Sequence, residues 1–395
     1  MDLNLGFLRK IRKKEPKAIK LSIITKLEHV LKYNNKKYDL KNYLQYKMDI
    51  CKKYFRDKNF SYFPIEEKTA NKENYFGVIL KNSKKSDNDF IKFKIFSDGK
   101  IVPVNYPKDS KYSFFCGKVV CFEGYNPDGN LIHAIKFKEL PLQLPEKKLP
   151  ISSKKEKLKY ICSSGPFFKK GSDNLDELEI LFDENADVFI LLGPFTNKAL
   201  FPDFSDDQNF DKNNSETKLI IYCPFTLFEK FIEKLIRLVE RKLNEGKVVQ
   251  VILIPSTEDL TISSVFPQDV NKEYHPNINL ISNPCSFFIN DVLFNICSYD
   301  MLMDLKIASF VNKSENFDLN ENLVENFDKQ LCITPGLPLN SVPMCFKGLK
   351  KTFINQKFDV FITKSEIKKF SVQNPDFLFV NVGSNPEDRD FYFEI

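Results

Sequence analysis

Lys159–Gly165 (KYICSSG) and Val188–Gly193 (VFILLG) decide how this chain is read. Each reads as a buried strand, a short apolar run bounded by turn residues. Each runs directly into Gly-Pro-Phe, at Gly165-Pro166-Phe167 and at Gly193-Pro194-Phe195. In α/β proteins the carboxyl ends of strands are where catalytic and ligand-binding groups are mounted. Neither tripeptide offers a His, Asp or Glu. The scaffold is that of an enzyme, with the chemistry missing from its strand ends.

Working outward, strands alternate with helices after residue 150, the pattern of a layered α/β domain. Asp173 is placed to cap a helix whose apolar face is Leu175, Leu178, Leu181 and Phe182, returning to a strand over Asp187–Leu192. Thr226-x-x-Glu229 has the form of a capping box. It predicts a helix with Phe228, Phe231, Ile232, Leu235, Val239 and Leu243 on one face and a stop at Gly246. A strand over Val248–Ile254 (VVQVILI) ends in Pro255-Ser256. Ser286–Ile289 and Val292–Ile296 flank Asn290-Asp291, a tight hairpin signal. Late strands are expected at Phe358–Ile362, Phe377–Val382 and Phe391–Ile395.

Before residue 150 the period is different. Residues 1–60 read as helical, with Leu21, Ile24, Leu27 and Leu31 near the spacing of one helix face and a second helical stretch over Leu40–Phe55. From Tyr75 the apolar residues alternate instead, most clearly in Phe90–Phe96 (FIKFKIF), the pattern of a half-buried strand. Asp98-Gly99 reads as a hairpin turn, followed by Ile101–Val104, Gly117–Glu123 and Leu131–Phe137. Five short strands joined by turns predict a small closed barrel of the OB type. Pro141–Pro150, with three prolines, reads as the linker that ends it. The organisation expected is therefore an N-terminal helical segment (1–60), an OB-fold domain (61–145) and an α/β domain (151–395).

Composition narrows the function classes. The 395 residues are 42% hydrophobic and 28% charged, ordinary for a globular protein, with a mild net charge of +6. Lys alternates with Asp and Glu, so the charge permits nucleic-acid proximity without arguing for it. The nine cysteines include no C-x-x-C pair, and they fit reduced core thiols in a reducing compartment. The longest apolar runs, such as Val188–Leu192, are far short of a membrane span, and no membrane association is expected. Arg9–Lys14 (RKIRKK) reads either as a nuclear-import patch or, more commonly for a lysine-rich chain, as a solvated helix face.

Metal-dependent phosphoesterases are the natural comparison. They need Asp and His at strand ends to hold two metals that activate water. This chain has three histidines, His29, His133 and His275. Where that family has D-x-H this strand end reads Cys162-Ser163-Ser164-Gly165. In place of G-D stands Gly193-Pro194, and in place of G-N-H-[DE] stands Pro255-Ser256-Thr257-Glu258-Asp259. The positions emptied of chemistry are thus Cys162, Ser164, Gly193, Pro194, Pro255, Ser256 and Glu258. Glu258-Asp259 is the only carboxylate pair directly beyond a strand. It reads as an oxygen-ligand site for a hard cation or, more commonly, as capping or solvated turn chemistry. The acidic loop with Asp203, Asp206, Asp207 and Asp211 has the same two readings. Cys162 has no partner His in a triad-like context, and no phosphate-binding glycine loop is present. No cofactor is expected. In the barrel, Phe90, Phe93 and Phe96 beside Lys92 and Lys94 offer a single-strand stacking surface, although core filling explains most of these rings.

The run KLKYICSSGPFF…DVFILLGPFT…VILIPSTEDL…FPQ…LISNPCSFFINDVLFNICSYDMLMDL resembles the B subunits of eukaryotic replicative DNA polymerases, most closely those of the alpha branch. Phe114–Asn126 (FFCGKVVCFEGYN) is similar to that family's F-P-G-Q-V-V-x-x-E-G-x-N. The resemblance runs from about residue 40 to the C-terminus. It implies an OB barrel packed on a calcineurin-like, metallophosphoesterase-like α/β sandwich that lacks metal ligands. It further implies a non-catalytic nuclear scaffold that binds the C-terminal domain of the polymerase alpha catalytic subunit and reaches primase and DNA through the complex. The equivalent subunit of polymerase delta or epsilon, and a divergent active phosphoesterase, are the alternatives. Partner-interface candidates are Phe195, Phe201 and Phe204 in one aromatic loop, and Pro335, Leu337 and Met344 in Leu331–Cys345, since aromatics and Met are enriched in interface cores; burial of these segments within the domain is the equal alternative.

Overall fold

The computed structural model describes residues 19–24, 40–57, 59–82, 89–109, 112–140, 143–146, 157–168, 174–196, 223–308, 310–312, 324, 344–345, 349–354, 356–384 and 390–395. The first described element, β1 (Leu21–Ile23), is a strand and corrects the helical reading of this stretch. Ile19, Leu21 and Ile23 alternate with Lys20 and Ser22, so a period of two places all three apolar side chains against one core. Leu27 and Leu31 lie outside the described residues. The helix predicted from Leu40 is present as α1 (Leu40–Lys53).

The barrel is built from β2 (Thr69–Asn82), β3 (Phe90–Ser97), β4 (Lys100–Pro107), β6 (Val119–Asn126) and β7 (Ile132–Lys138), closed in the order β2-β3-β4-β7-β6. The parallel pairing of Val104 and Asn105 with Ile132 and His133 completes the closure. Tyr75, Phe93, Tyr106 and Phe122 fill the interior, and Phe96 packs between the barrel and α1. Phe93 and Phe96 are each 1% exposed, so they are core and offer no stacking surface. No local pattern marks β5 (Tyr112–Phe114), which lies outside the closed barrel.

The rest of the chain forms β8 (Lys159–Ser164), α2 (Asp176–Asp183), β9 (Val188–Leu192), α3 (Pro224–Asn244), β10 (Gln250–Ile254), β11 (Lys272–His275), β12 (Ile278–Leu280), β13 (Cys285–Ile289) and β14 (Val292–Cys297). These are followed by α4 (Met301–Ala308), β15 (Phe310–Asn312), β16 (Val360–Thr363), β17 (Phe370–Gln373), β18 (Leu378–Asn381) and β19 (Asp390–Glu394). One six-stranded sheet runs β11-β12-β10-β9-β8-β19 and the other β1-β13-β14-β16-β18-β17. Cys162, Ile190, Leu192, Ile252 and Ile254 of the first meet Phe287, Phe294, Ile296, Val360, Ile362 and Val380 of the second in one buried cluster. Helices α2 and α3 cover the outer face of the first sheet, while α1 and α4 pack on the second. Because each sheet is covered on both faces, its central strands are continuous apolar runs instead of alternating ones.

Two helix starts differ from the sequence expectation. Thr226 lies inside α3, which begins at Pro224 with Cys223 as the flanking residue and no side-chain cap. Proline fits the first helical turn, where its missing N–H is not needed. Asp173 lies outside the described residues, and Asn174 Oδ1 accepts from Asp176 N (2.7 Å) at the start of α2. The apolar face of α3 is as read: Phe228, Phe231, Ile232, Leu235 and Val239 are buried. Among the described residues no helix is long and apolar enough to cross a membrane.

Barrel and sandwich are joined at three places. Helix α1 gives Tyr43 to the core over the second sheet, and Leu44, Met48 and Cys51 to a cluster against the barrel. Lys47, fully buried in the same helix, donates from Nζ to Gly117 O (2.8 Å). Strands β5 and β15 pair antiparallel across the two bodies. The Pro-rich segment contributes too, since Lys357 N donates to Pro145 O and Gln143 N to Tyr54 O.

The two Gly-Pro-Phe turns pack directly on each other. Gly165 N donates to Leu192 O and Gly193 N to Ile254 O, both at 2.7 Å, extending the parallel ladder one residue past each strand. A Cβ on Gly165 would overlap the carbonyl oxygen of Pro194, which is backbone and cannot swing aside. Gly165→Ala is therefore expected to cost about 3 kcal/mol or more, seen as a lower denaturant midpoint at unchanged slope. A variant that unfolds at the wild-type midpoint would show that this close approach is not a constraint.

Candidate functional site

The carboxyl ends of the parallel strands of both sheets open onto one cleft of about 1110 Å³, lined among others by Gly165, Ser256, Glu258, Ser298, Tyr299 and Lys364. Residues emerge here because parallel strands all finish at the same edge. Among the described residues, several side chains cross the seam between the sheets, three of them at the ends of parallel strands. Ser164 Oγ, at the end of β8, donates to Gly383 O beyond β18 (2.7 Å). Ser298 Oγ, after β14, donates to Pro255 O after β10. Lys364 Nζ, after β16, donates to Gly193 O after β9 (3.2 Å).

Asp259 organises the floor. It is 3% exposed, and its carboxylate accepts from Phe195 N (2.5 Å) and Thr196 N (3.1 Å) through Oδ1 and from Ser256 N (2.8 Å) through Oδ2. Burial pushes its pKa up to about 6, against three backbone N–H donors and the Lys364 ammonium, which hold it down. It is ionised at neutral pH. Gly193 is required beneath it, because a Cβ there would overlap Oδ2 and lie 2.7 Å from Ser256 N. The two members of the predicted carboxylate pair therefore part company. Asp259 is a buried acceptor for loop backbone, whereas Glu258 is largely exposed and reaches only to 3.8 Å from Lys364 Nζ.

Behind this floor lies a buried amide network that no sequence motif announces. Gln268 Nε2 donates to Ser256 O (2.9 Å) and Ser263 O (2.6 Å), and its Oε1 accepts from Asn283 Nδ2 (2.8 Å). Asn283 Oδ1 accepts from Ser298 N (3.0 Å). Backbone N–H groups of Gln268 and Asn283 donate to each other's carbonyls. The only signals for this are the polar residues beside proline in Phe266-Pro267-Gln268 and Asn283-Pro284. Lys364 escapes sequence reasoning altogether, since one lysine in a lysine-rich chain carries no local mark of burial.

The remaining predicted positions fall partly at the seam and partly elsewhere. Cys162 is completely buried between the sheets, and burial raises its thiol pKa well above the usual range, which suits a core residue and not a nucleophile. Ser164, Gly193, Pro255 and Ser256 meet at the seam, with Pro194 backed against Gly165. Of the two readings of Phe195, the structure shows the buried one: it is fully buried and packs on Phe231 and Phe228 of α3, not an exposed partner contact. Met344 is half-buried beside the second-sheet core and bridges to Phe266. Phe201, Phe204, Pro335, Leu337 and the acidic residues Asp203, Asp206, Asp207 and Asp211 lie outside the described residues. Among the described residues, no group of three or more His, Cys, Asp or Glu is arranged to hold a metal ion. Both oxygens of Asp259, the buried carboxylate of this floor, are engaged by backbone N–H groups.

Comparison with known proteins points to one family. The profile of the DNA polymerase alpha/epsilon B subunits matches residues 160–372, more than half of the chain. The chain is 25% identical over 289 residues to the DNA polymerase alpha B subunit of Mus musculus, covering 69% of this chain and 45% of that protein. It is 26% identical over 238 residues to the one from Bos taurus (56% of this chain, 36% of that protein). For Saccharomyces cerevisiae the figures are 28% over 232 residues, 53% of this chain and 31% of that protein. The chain thus spans less than half the length of these relatives.

The three-donor grip on Asp259 is testable. Asp259→Asn places an amide N–H against the Ser256 N–H, and Asp259→Ala leaves all three buried donors without an acceptor. Each is expected to cost about 3 kcal/mol at neutral pH, with Asp259→Ala the worse, measured by chemical denaturation. Equal stability of Asp259→Asn and the wild type would mean that the carboxylate does not anchor the loop.

Proposed function

Since the chain belongs to the family of DNA polymerase alpha/epsilon B subunits, we propose that it is the non-catalytic accessory subunit of a nuclear DNA polymerase alpha–primase complex. In this reading the sandwich is a calcineurin-like phosphoesterase scaffold retained for its shape. Its task is to hold the C-terminal domain of the polymerase catalytic subunit and so to support primer synthesis at the start of replication. The observation that carries the reading is the use made of the strand ends. Where a two-metal phosphoesterase keeps Asp and His ready for metals, this chain spends its one buried strand-end carboxylate, Asp259, on three backbone N–H groups. That grip ties the turn after β9 to the loop after β10, and among the described residues no cluster of carboxylates and histidines stands ready for a metal. The matched relatives, all named as B subunits of DNA polymerase alpha, favour the alpha complex within the family.

The direct test is purification of the tagged protein from its own cells with identification of what accompanies it. Stoichiometric polymerase alpha catalytic subunit together with both primase subunits is the expected result. Delta or epsilon subunits would keep the family and change the complex, and absence of any polymerase would overturn the proposal. In parallel, the purified chain is expected to show no Mn²⁺-dependent hydrolysis of a model phosphodiester above the rate of a Glu258→Gln, Asp259→Asn variant.

A further inference from the structure

Lys364 is a feature of the cleft that neither the sequence nor the family comparison accounts for. It follows β16 directly, is only 7% exposed, and donates to a backbone carbonyl of the opposite sheet, Gly193 O. Lysine is almost never buried to this degree unless its charge is compensated. The compensation is close at hand. Glu258 Oε2 lies 3.8 Å from Nζ, and Asp259, Asp300 and Glu366 are near enough to attract it. Burial pulls the ammonium below its ordinary pKa, and these four carboxylates pull it back. The surrounding groups are themselves tied into the seam. Asp300 Oδ2 accepts from Glu366 N (2.8 Å), two residues beyond Lys364, and Asp259 holds the loop on the other side. A methionine would fill the same space without the cost of desolvating a charge. The position therefore uses the charge as well as the volume.

We propose that Lys364 is the built-in cation of the strand-end centre, its ammonium binding the β9 end of one sheet to the β16 end of the other and offsetting part of the carboxylate charge around it. The site is thus one for a primary alkylammonium, filled from within the chain. It does not depend on the polymerase reading, because it concerns how the cleft is held together whatever the protein assembles with.

The test uses the full chain with Lys364→Arg, Lys364→Met and Lys364→Ala, read by melting temperature with and without excess n-propylammonium. Lys364→Arg is expected to melt close to the wild type. Lys364→Met and Lys364→Ala are expected to melt roughly 5–10 °C lower. n-Propylammonium should restore part of the loss in Lys364→Ala by filling the vacated space. It should restore none in Lys364→Met, and n-propanol at the same concentration should restore none in either. If Lys364→Ala does not fold, the Met and Arg variants decide: Met well below Arg supports the proposal. Lys364→Met melting at or above the wild type would overturn it. An alkylammonium shift in folded Lys364→Ala no larger than in the wild type would overturn it as well.

Discussion

The closeness of two backbones at Gly165 and Pro194 is the constraint on which the rest of the strand-end structure depends. The parallel ladder between β8 and β9 is continued one residue past each strand, and the turn after each must then leave the sheet in very little space. Only a residue without a Cβ fits at Gly165, and only a residue without one fits at Gly193 over the Asp259 carboxylate. The aromatic residue that follows each proline is sent back under the sheet, where Phe167 and Phe195 stack on each other and on Phe231. The tripeptide is therefore a packing device: glycine for approach, proline for the exit, phenylalanine for the anchor.

Once the turns are fixed, the polar groups around them have defined work. Asp259 satisfies the donors of the β9 turn and of its own loop, and the amides of Gln268 and Asn283 satisfy carbonyls and N–H groups behind it. Buried polar groups of this sort are costly unless every member is paired, and here they are paired mainly with backbone. Such a network fixes chain paths rather than presenting groups to a substrate. The floor of the cleft is in detail a set of internal ties among the strand-end loops.

Much of this fold was legible because its signals are local. The apolar runs at Val188–Leu192 and Gln250–Ile254, the Asn290-Asp291 turn, the face of α3 and the alternation in β3 each follow from a short window of sequence. What escaped were features decided at a distance. Leu21–Ile23 is a strand because Phe287–Ile289 is there to pair with it, and β5 has its partner only in β15. At the site, the sequence marked the loop Pro255–Asp259 but could not divide labour between Glu258 and Asp259, because burial of one carboxylate depends on a turn 64 residues away. Lys364 was invisible for the same reason: its acceptor is 171 residues distant. Phe195 carried an exposed reading beside the buried one because an aromatic residue in a predicted loop gives no hint of the helix that covers it.

Helix α1 sits where barrel and sandwich meet, with Tyr43 committed to one core and Leu44, Met48 and Cys51 to the other. Swinging the barrel against the sandwich would drag apolar side chains of this helix out of both interiors together. The β5–β15 pairing adds a second attachment some way along the chain. Among the described residues, a tug on either body is passed to the other through packed side chains and paired backbone. The distance between the two bodies is thereby a property written into α1.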